Sequence, residues 1–140
     1  MTDAHDQRTS IHLLCHYPEH DPRASDSHYR IFNQSKRRIK KLGLWKCAMP
    51  GPHSDQLELH HDKIEFSMQG GVDLQRFNEL YGLHLATDAE FKGYIESPGA
   101  LEVLCSLHHR SHLGVHSLPT PFWQALRVWK DGILPPAEVE

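Results

Sequence analysis

The stretch LELHHDKIEFSMQGGVD, residues 57–73, constrains this chain most, because two adjacent histidines close an alternating apolar run. On an extended strand, neighbouring side chains point to opposite faces. Leu57 and Leu59 then share one face, Glu58 and His60 share the other, and His61 joins the leucine side if the strand stays regular. His60 and His61 therefore meet different surroundings, and at least one of them faces something polar.

A second histidine-rich stretch, ALEVLCSLHHRSHLGVH, occupies residues 100–116. It reads as an apolar strand, ALEVL, running into a segment that begins a helix. Thirteen of the 140 residues are histidine, and six of these fall in the windows 60–61 and 108–116. Two strands that each end in histidines, the second with Cys105 beside them, gather donors that suit first-row metal ions. A doublet lets one histidine bind metal while its neighbour stays free as a base near neutral pH. His12, His16, His20, His28 and His84 read as ordinary surface or hydrogen-bonded histidines.

Around these stretches the chain divides into short elements. Residues 1–10 are polar and read as a flexible N-terminus, and IHLLCHY, 11–17, as a short strand or turn before a proline-containing loop. DSHYRIFNQSKRRIKKLGL reads as a helix with Tyr29, Phe32, Ile39 and Leu42 near one side, a cap at Asp26 or Ser27 and a stop at Gly43. WKCAMPGPHSD reads as a loop and QGG, 69–71, as a turn. Helical spacing recurs at Val72, Leu74, Phe77, Leu80 and Tyr81, and DAEFKGYIES reads as a short helix or turn. The tail PTPFWQALRVWKDGILPP reads as a helix between prolines, packed through Phe122, Leu126 and either Trp123 or Trp129. Residues 135–140 read as a flexible tail. A hydrophobic content of 39% suits one modest core, so residues 11–134 are expected to form a single domain.

Formal net charge is −3, so attraction to nucleic acid has to come from a local patch. The patch available is KRRIKK, with Lys36, Arg37, Arg38, Lys40 and Lys41; the bland alternative is a solvated helix face or linker. Cys15, Cys47 and Cys105 are odd in number and far apart, which fits reduced thiols or metal thiolates better than a secreted disulfide framework. No apolar run approaches a membrane span and the N-terminus lacks a signal pattern, so the expectation is a cytoplasmic protein without membrane contact.

ELHHDK followed by QGG, then LCSLHHR and a further GVH, resembles the HNH endonucleases. The opening is similar to the nuclease domains of colicin-type DNases and the second part to HNH proteins of phages and bacteria. The resemblance covers residues 57–116. It implies an α+β fold with a small ββα-metal (His-Me finger) core at 55–117 and added N-terminal and C-terminal helices. The activity implied is metal-dependent hydrolysis of DNA phosphodiester bonds, in the cytoplasm of a bacterial host if the chain is phage-encoded.

Carried over by motif position, His60 is implied as a ligand of the catalytic metal, His61 as the general base and His109 as a second ligand. His116 is preferred to complete the set, because the GVH context resembles the phage-type members, although helical spacing from His109 keeps His112 open. The ion is Mg²⁺, Mn²⁺, Ni²⁺ or Zn²⁺, and Arg110 is placed to touch a phosphate. A structural Zn²⁺ is implied as well, with Cys105 and His108 as one ligand pair, Cys47 as the third ligand and Cys15 or His53 as the fourth. The alternative is that Cys15 and Cys47 are buried thiols.

The chain departs from the family at Ala100, where an asparagine that orients the base histidine is usual; Asn78, Glu96 and Ser97 are the candidates to replace it. That departure keeps open a non-catalytic DNA-binding or assembly protein that retains the HNH scaffold with a structural metal. A third option is a zinc-stabilised protein-interaction module contacting partners through Phe122, Trp123 and Trp129.

Overall fold

Strand β1 (Leu57–His61) pairs antiparallel with β2 (Leu101–Cys105), in a register that sets Leu57 opposite Cys105 and His61 opposite Leu101. The computed structural model describes residues 2–8, 10, 12–134 and 138, and among these the chain is a mixture of helices with this one two-stranded sheet. Short backbone bonds prolong the pairing: Ser106 N donates to Gln56 O at one end and Asp62 N to Ala100 O at the other. Ala48 N donates to Val103 O, so the loop before β1 also lies against β2.

Helix α1 (Tyr29–Lys41) precedes the sheet, α2 (Leu74–Tyr81) and α3 (Asp88–Ile95) form the crossover between the strands, and α4 (Ser106–Arg110) and α5 (Thr120–Arg127) follow β2. The crossover carries its own core, in which Phe77 of α2 meets Phe91 and Ile95 of α3. Local chemistry sets its boundaries. Asp73 caps α2 by accepting from Arg76 N, and Gly82 ends it at φ +65°, a left-handed conformation that glycine takes without a Cβ penalty. Thr87 caps α3 by accepting from Glu90 N. A separate cluster packs Trp123 of α5 with Leu104 of β2 and Met49.

Several sequence expectations need correction. Residues 12–17 form no strand and Leu13 and Leu14 are exposed, because the sheet's two strands pair only with each other and leave this segment without a partner. Helix α1 begins at Tyr29 after His28, although the Asp26 carboxylate still accepts from His28 N just ahead of it. Leu42 is exposed at the helix's C-terminal end, and Ser35 and Ile39 are the buried residues of α1. The turn expected at 69–71 is the end of a longer 3-10 helix, Phe66–Gly71. The last helix stops at Arg127; Trp123 is its buried aromatic residue, while Phe122 is 49% exposed and Trp129 lies beyond the helix. The expected flexible ends fall partly outside the described residues, which omit 1, 9, 11, 135–137 and 139–140.

The α5 register gives a direct test. Trp123→Ala is expected to cost about 3–5 kcal/mol by urea denaturation, the range for truncating a buried aromatic residue. Phe122→Ala next to it is expected to cost about 1 kcal/mol or less, because half of that side chain is already in water.

Candidate functional site

The strand alternation of β1 divides its histidine doublet between two environments. His60 is buried on the face shared with Glu58, and His61 lies on the opposite face. On the His60 side, α4 starts directly after Cys105 and lasts only five residues. The chain then turns back: Gly114 N donates to Ser111 O, and Val115 N to His108 O. A Cβ on Gly114 would lie 2.8 Å from the backbone C and O of His109, so only glycine lets the returning chain lie this close to α4. The return carries His116 to His60 and His109, and the three offer ligand atoms within 4.8 Å of one another. His112 is exposed and outside this group, since α4 ends at Arg110 and the helical spacing on which its candidacy rested does not extend that far.

Carboxylates stand behind two of the rings. His109 Nδ1 lies 3.4 Å from Glu58 Oε1, and His116 Nδ1 lies 3.2 Å from Glu65 Oε1. Such pairing fixes ring orientation and leaves Nε2 for an ion, the arrangement common behind metal-binding histidines. Burial, reinforced by the neighbouring His109 and His116, pushes the pKa of His60 down to about 3. Burial also lowers that of His109, with His116 adding to the effect. Both rings therefore keep free lone pairs at neutral pH, as ligation requires.

Cys47, His53, Cys105 and His108 form a second group, again with ligand atoms within 4.8 Å of one another. The Cys105 and Cys47 sulfurs lie 3.2 and 3.5 Å from His108 Nδ1, and Cys105 Sγ lies 3.8 Å from His53 Nδ1. Zn–S bonds of about 2.3 Å and Zn–N bonds of about 2.0–2.1 Å put tetrahedral S and N donors about 3.5 Å apart, so this donor set fits zinc. Burial raises the Cys105 thiol, but hydrogen bonds from the backbone of His108 and Ser54 and from His53 outweigh it and bring the pKa to about 5. Burial raises the pKa of Cys47, with Cys105 beside it adding to the rise. Cys15 is exposed and absent from the group, which corrects both expectations for it, as ligand and as buried thiol; His53 stands in the fourth place.

On the opposite face of β1, His61 Nε2 lies 3.1 Å from Glu96 Oε2, and its ring stacks on Phe32 with centroids 5.4 Å apart. Glu96 is 1% exposed and receives two hydrogen bonds from Arg23, 3.0 Å to Oε1 and 2.9 Å to Oε2. The Arg23 guanidinium lies over the rings of Tyr29, Phe32 and Phe66. The other candidates for the family's asparagine are occupied elsewhere. Asn78 bonds both backbone groups of Leu85, Ser97 Oγ donates to Tyr94 O, and Ala100 is fully buried beneath the end of the sheet. Sequence reasoning missed Arg23 altogether and placed Phe32 only on the apolar side of a helix; no local pattern links either to a histidine on a later strand.

The basic run lies on the C-terminal half of α1. Lys36 and Lys40 approach the Trp45 ring at 5.5 and 4.7 Å, and Arg37, Arg38, Lys40 and Lys41 are exposed. Arg110 is paired with Glu58 at 2.8 Å. A cavity of about 140 Å³ opens beside His60, lined by Asp62, Thr120, Gln124 and Arg127 among others. The larger groove, about 620 Å³, runs along α2 and touches neither histidine group, so its size gives it no claim on the chemistry. Comparison of the chain with protein-family models, with curated proteins and with solved structures gives no match.

Gly114→Ala is expected to weaken Ni²⁺ binding to the three-histidine group at least about 10-fold by calorimetry, the scale on which misplaced metal-site supports act, while Zn²⁺ binding to the cysteine group persists. A second expectation concerns pH in the metal-free protein. His60 has a folded pKa of about 3 against an ordinary 6.5, so its contribution to stability is full above 6.5 and is lost as pH falls toward 3. Chemical denaturation from pH 7 down to pH 4 should show that decline, and His60→Gln should flatten it.

Proposed function

We propose that the protein is a metal-dependent endonuclease that hydrolyses DNA phosphodiester bonds, built on an HNH-like ββα-metal core. One observation carries the reading: the β1 doublet is divided between a three-histidine group and a histidine paired with a buried carboxylate. His60, His109 and His116 would hold the divalent ion; three imidazoles suit Zn²⁺ or Ni²⁺ better than Mg²⁺, which prefers oxygen donors. A bound ion supplies stabilisation of the charge that builds on the phosphate oxygens as the bond breaks.

The remaining work falls to the chain. His61 takes a proton from water at Nδ1, because Nε2 is engaged by Glu96, and its side chain stays 10% exposed at the end of β1. Exposed Arg37, Arg38, Lys40 and Lys41 neutralise flanking phosphates, which makes binding salt-dependent. Arg110 reaches a phosphate only by leaving Glu58. Cys47, His53, Cys105 and His108 would hold a structural Zn²⁺ that ties the loop before β1 to the β2–α4 junction.

Ala100, standing where the family has its asparagine, favours the alternative of a non-catalytic DNA-binding or assembly protein on the same scaffold. The interaction-module reading loses one of its three aromatic contacts, because Trp123 is buried in the core.

Nicking of supercoiled plasmid with Mg²⁺, Mn²⁺, Ni²⁺ or Zn²⁺ separates the nuclease reading from the non-catalytic scaffold. His61→Ala is expected to lower the rate about 10²–10⁴-fold, the contribution of a general base, with fold and metal content retained. Full activity in that variant removes His61 as the base. Absence of cleavage with every metal, alongside a salt-sensitive gel shift, supports the non-catalytic scaffold.

A further inference from the structure

We infer that Glu96, clamped by Arg23, is the positioning residue for His61 and takes over the orienting role that Ala100 cannot perform. The inference deepens the proposed function and rests on His61 being its base. A carboxylate can only accept hydrogen bonds, so the 3.1 Å contact requires the proton of the neutral His61 ring to sit on Nε2. Nδ1 is then bare and able to accept a proton from water. An oriented base acts only if the group that orients it is itself immobile, and Glu96 is restrained from several sides.

Its two oxygens are engaged by the two terminal nitrogens of Arg23, a bidentate pairing that removes rotation about the carboxylate. Its carbonyl accepts from Ser35 Oγ at 2.6 Å, and its backbone N donates to Lys92 O at the end of α3. Phe32 holds the His61 ring from one side, with planes 20° apart. The parts come from four places: Arg23 from the 3-10 turn Arg23–Ser25, Ser35 and Phe32 from α1, Glu96 from the C-terminal end of α3, and His61 from β1. The N-terminal turn is thereby part of the site, although the HNH-like motif begins more than thirty residues later, at Leu57.

A half-buried ion pair between Arg23 and Glu96 would serve a purely structural role equally well, so the test reads His61 itself. In ¹⁵N-histidine-labelled protein, with His61 assigned by comparison with His61→Gln, the wild type is expected to show a slowly exchanging Nε2–H and an unprotonated Nδ1. Glu96→Leu should abolish that slow N–H signal. It should lower the single-turnover nicking rate about 10–100-fold, part of the 10²–10⁴-fold that a general base supplies, with KM within about twofold. Glu96→Gln keeps one acceptor oxygen and should restore part of both the signal and the rate.

Because Glu96→Leu strands the Arg23 charge, the double variant Arg23→Met/Glu96→Leu is measured beside it, with thermal melting as the check on folding. A slow His61 N–H that survives in the folded double variant overturns the inference whatever the activity. Loss of the signal with an unchanged rate also overturns it, since the contact would then be structural only. Loss of the signal in a protein whose wild type cleaves no DNA instead overturns the nuclease reading, and with it the catalytic use of the contact.

Discussion

The antiparallel pairing of β1 with β2 sets His60 opposite Glu102 and His61 opposite Leu101, and the rest of the site depends on that register. A slip by one residue would exchange the two faces and send each histidine to the other's partners. His60 would then meet Glu96 and Phe32, and His61 would meet His109 and His116. The register is secured from outside the strands as well. Glu102 pairs with Arg127 of α5 at 2.7 Å, and α5 in turn packs Trp123 onto Leu104. The helix that covers β2 is thus tied to the residue opposite His60.

Two histidine doublets are separated by two different geometries. In β1 successive side chains diverge across the sheet, so His60 and His61 face opposite sides. In α4 successive residues are rotated by about 100° around the helix, so His108 turns toward the cysteines while His109 turns toward His60. The two groups of candidate metal ligands therefore share a helix of five residues without sharing a side chain. Whatever fixes His108 in one group also fixes the backbone of His109 in the other. A bound structural ion would act on the three-histidine group in this way, by stiffening its support.

The parts legible in the sequence are those where local pattern and chemistry coincide. Alternation in LELHH marks β1 and the apolar run ALEVL marks β2, while the proximity of Cys105 and His108 follows from a strand running straight into a helix. The choice of His53 over Cys15 was not legible, because it depends on how a proline-containing loop folds back onto the end of β2. The GVH context points to His116 rather than His112, but the physical reason, where α4 stops and the close approach at Gly114, is not encoded in the spacing of donors. Arg23 and Glu96 meet across 73 residues of sequence, and periodicity has nothing to say about contacts of that range. The strand or turn expected at 11–17 shows the opposite error, since Leu13 and Leu14 form a local apolar run that is exposed and joins no strand.

One short chain thus builds two separate, chemically distinct groups of candidate metal ligands on either side of the His108–His109 step. Absorption-monitored titration of the metal-free protein with Co²⁺ tests it most directly, because thiolate ligation gives intense near-ultraviolet charge-transfer bands and imidazole ligation does not. One ion with thiolate bands that vanish in Cys105→Ser is expected, and a second ion without them that is lost in His116→Ala. A single bound ion, or two ions that both vanish with either substitution, would contradict it.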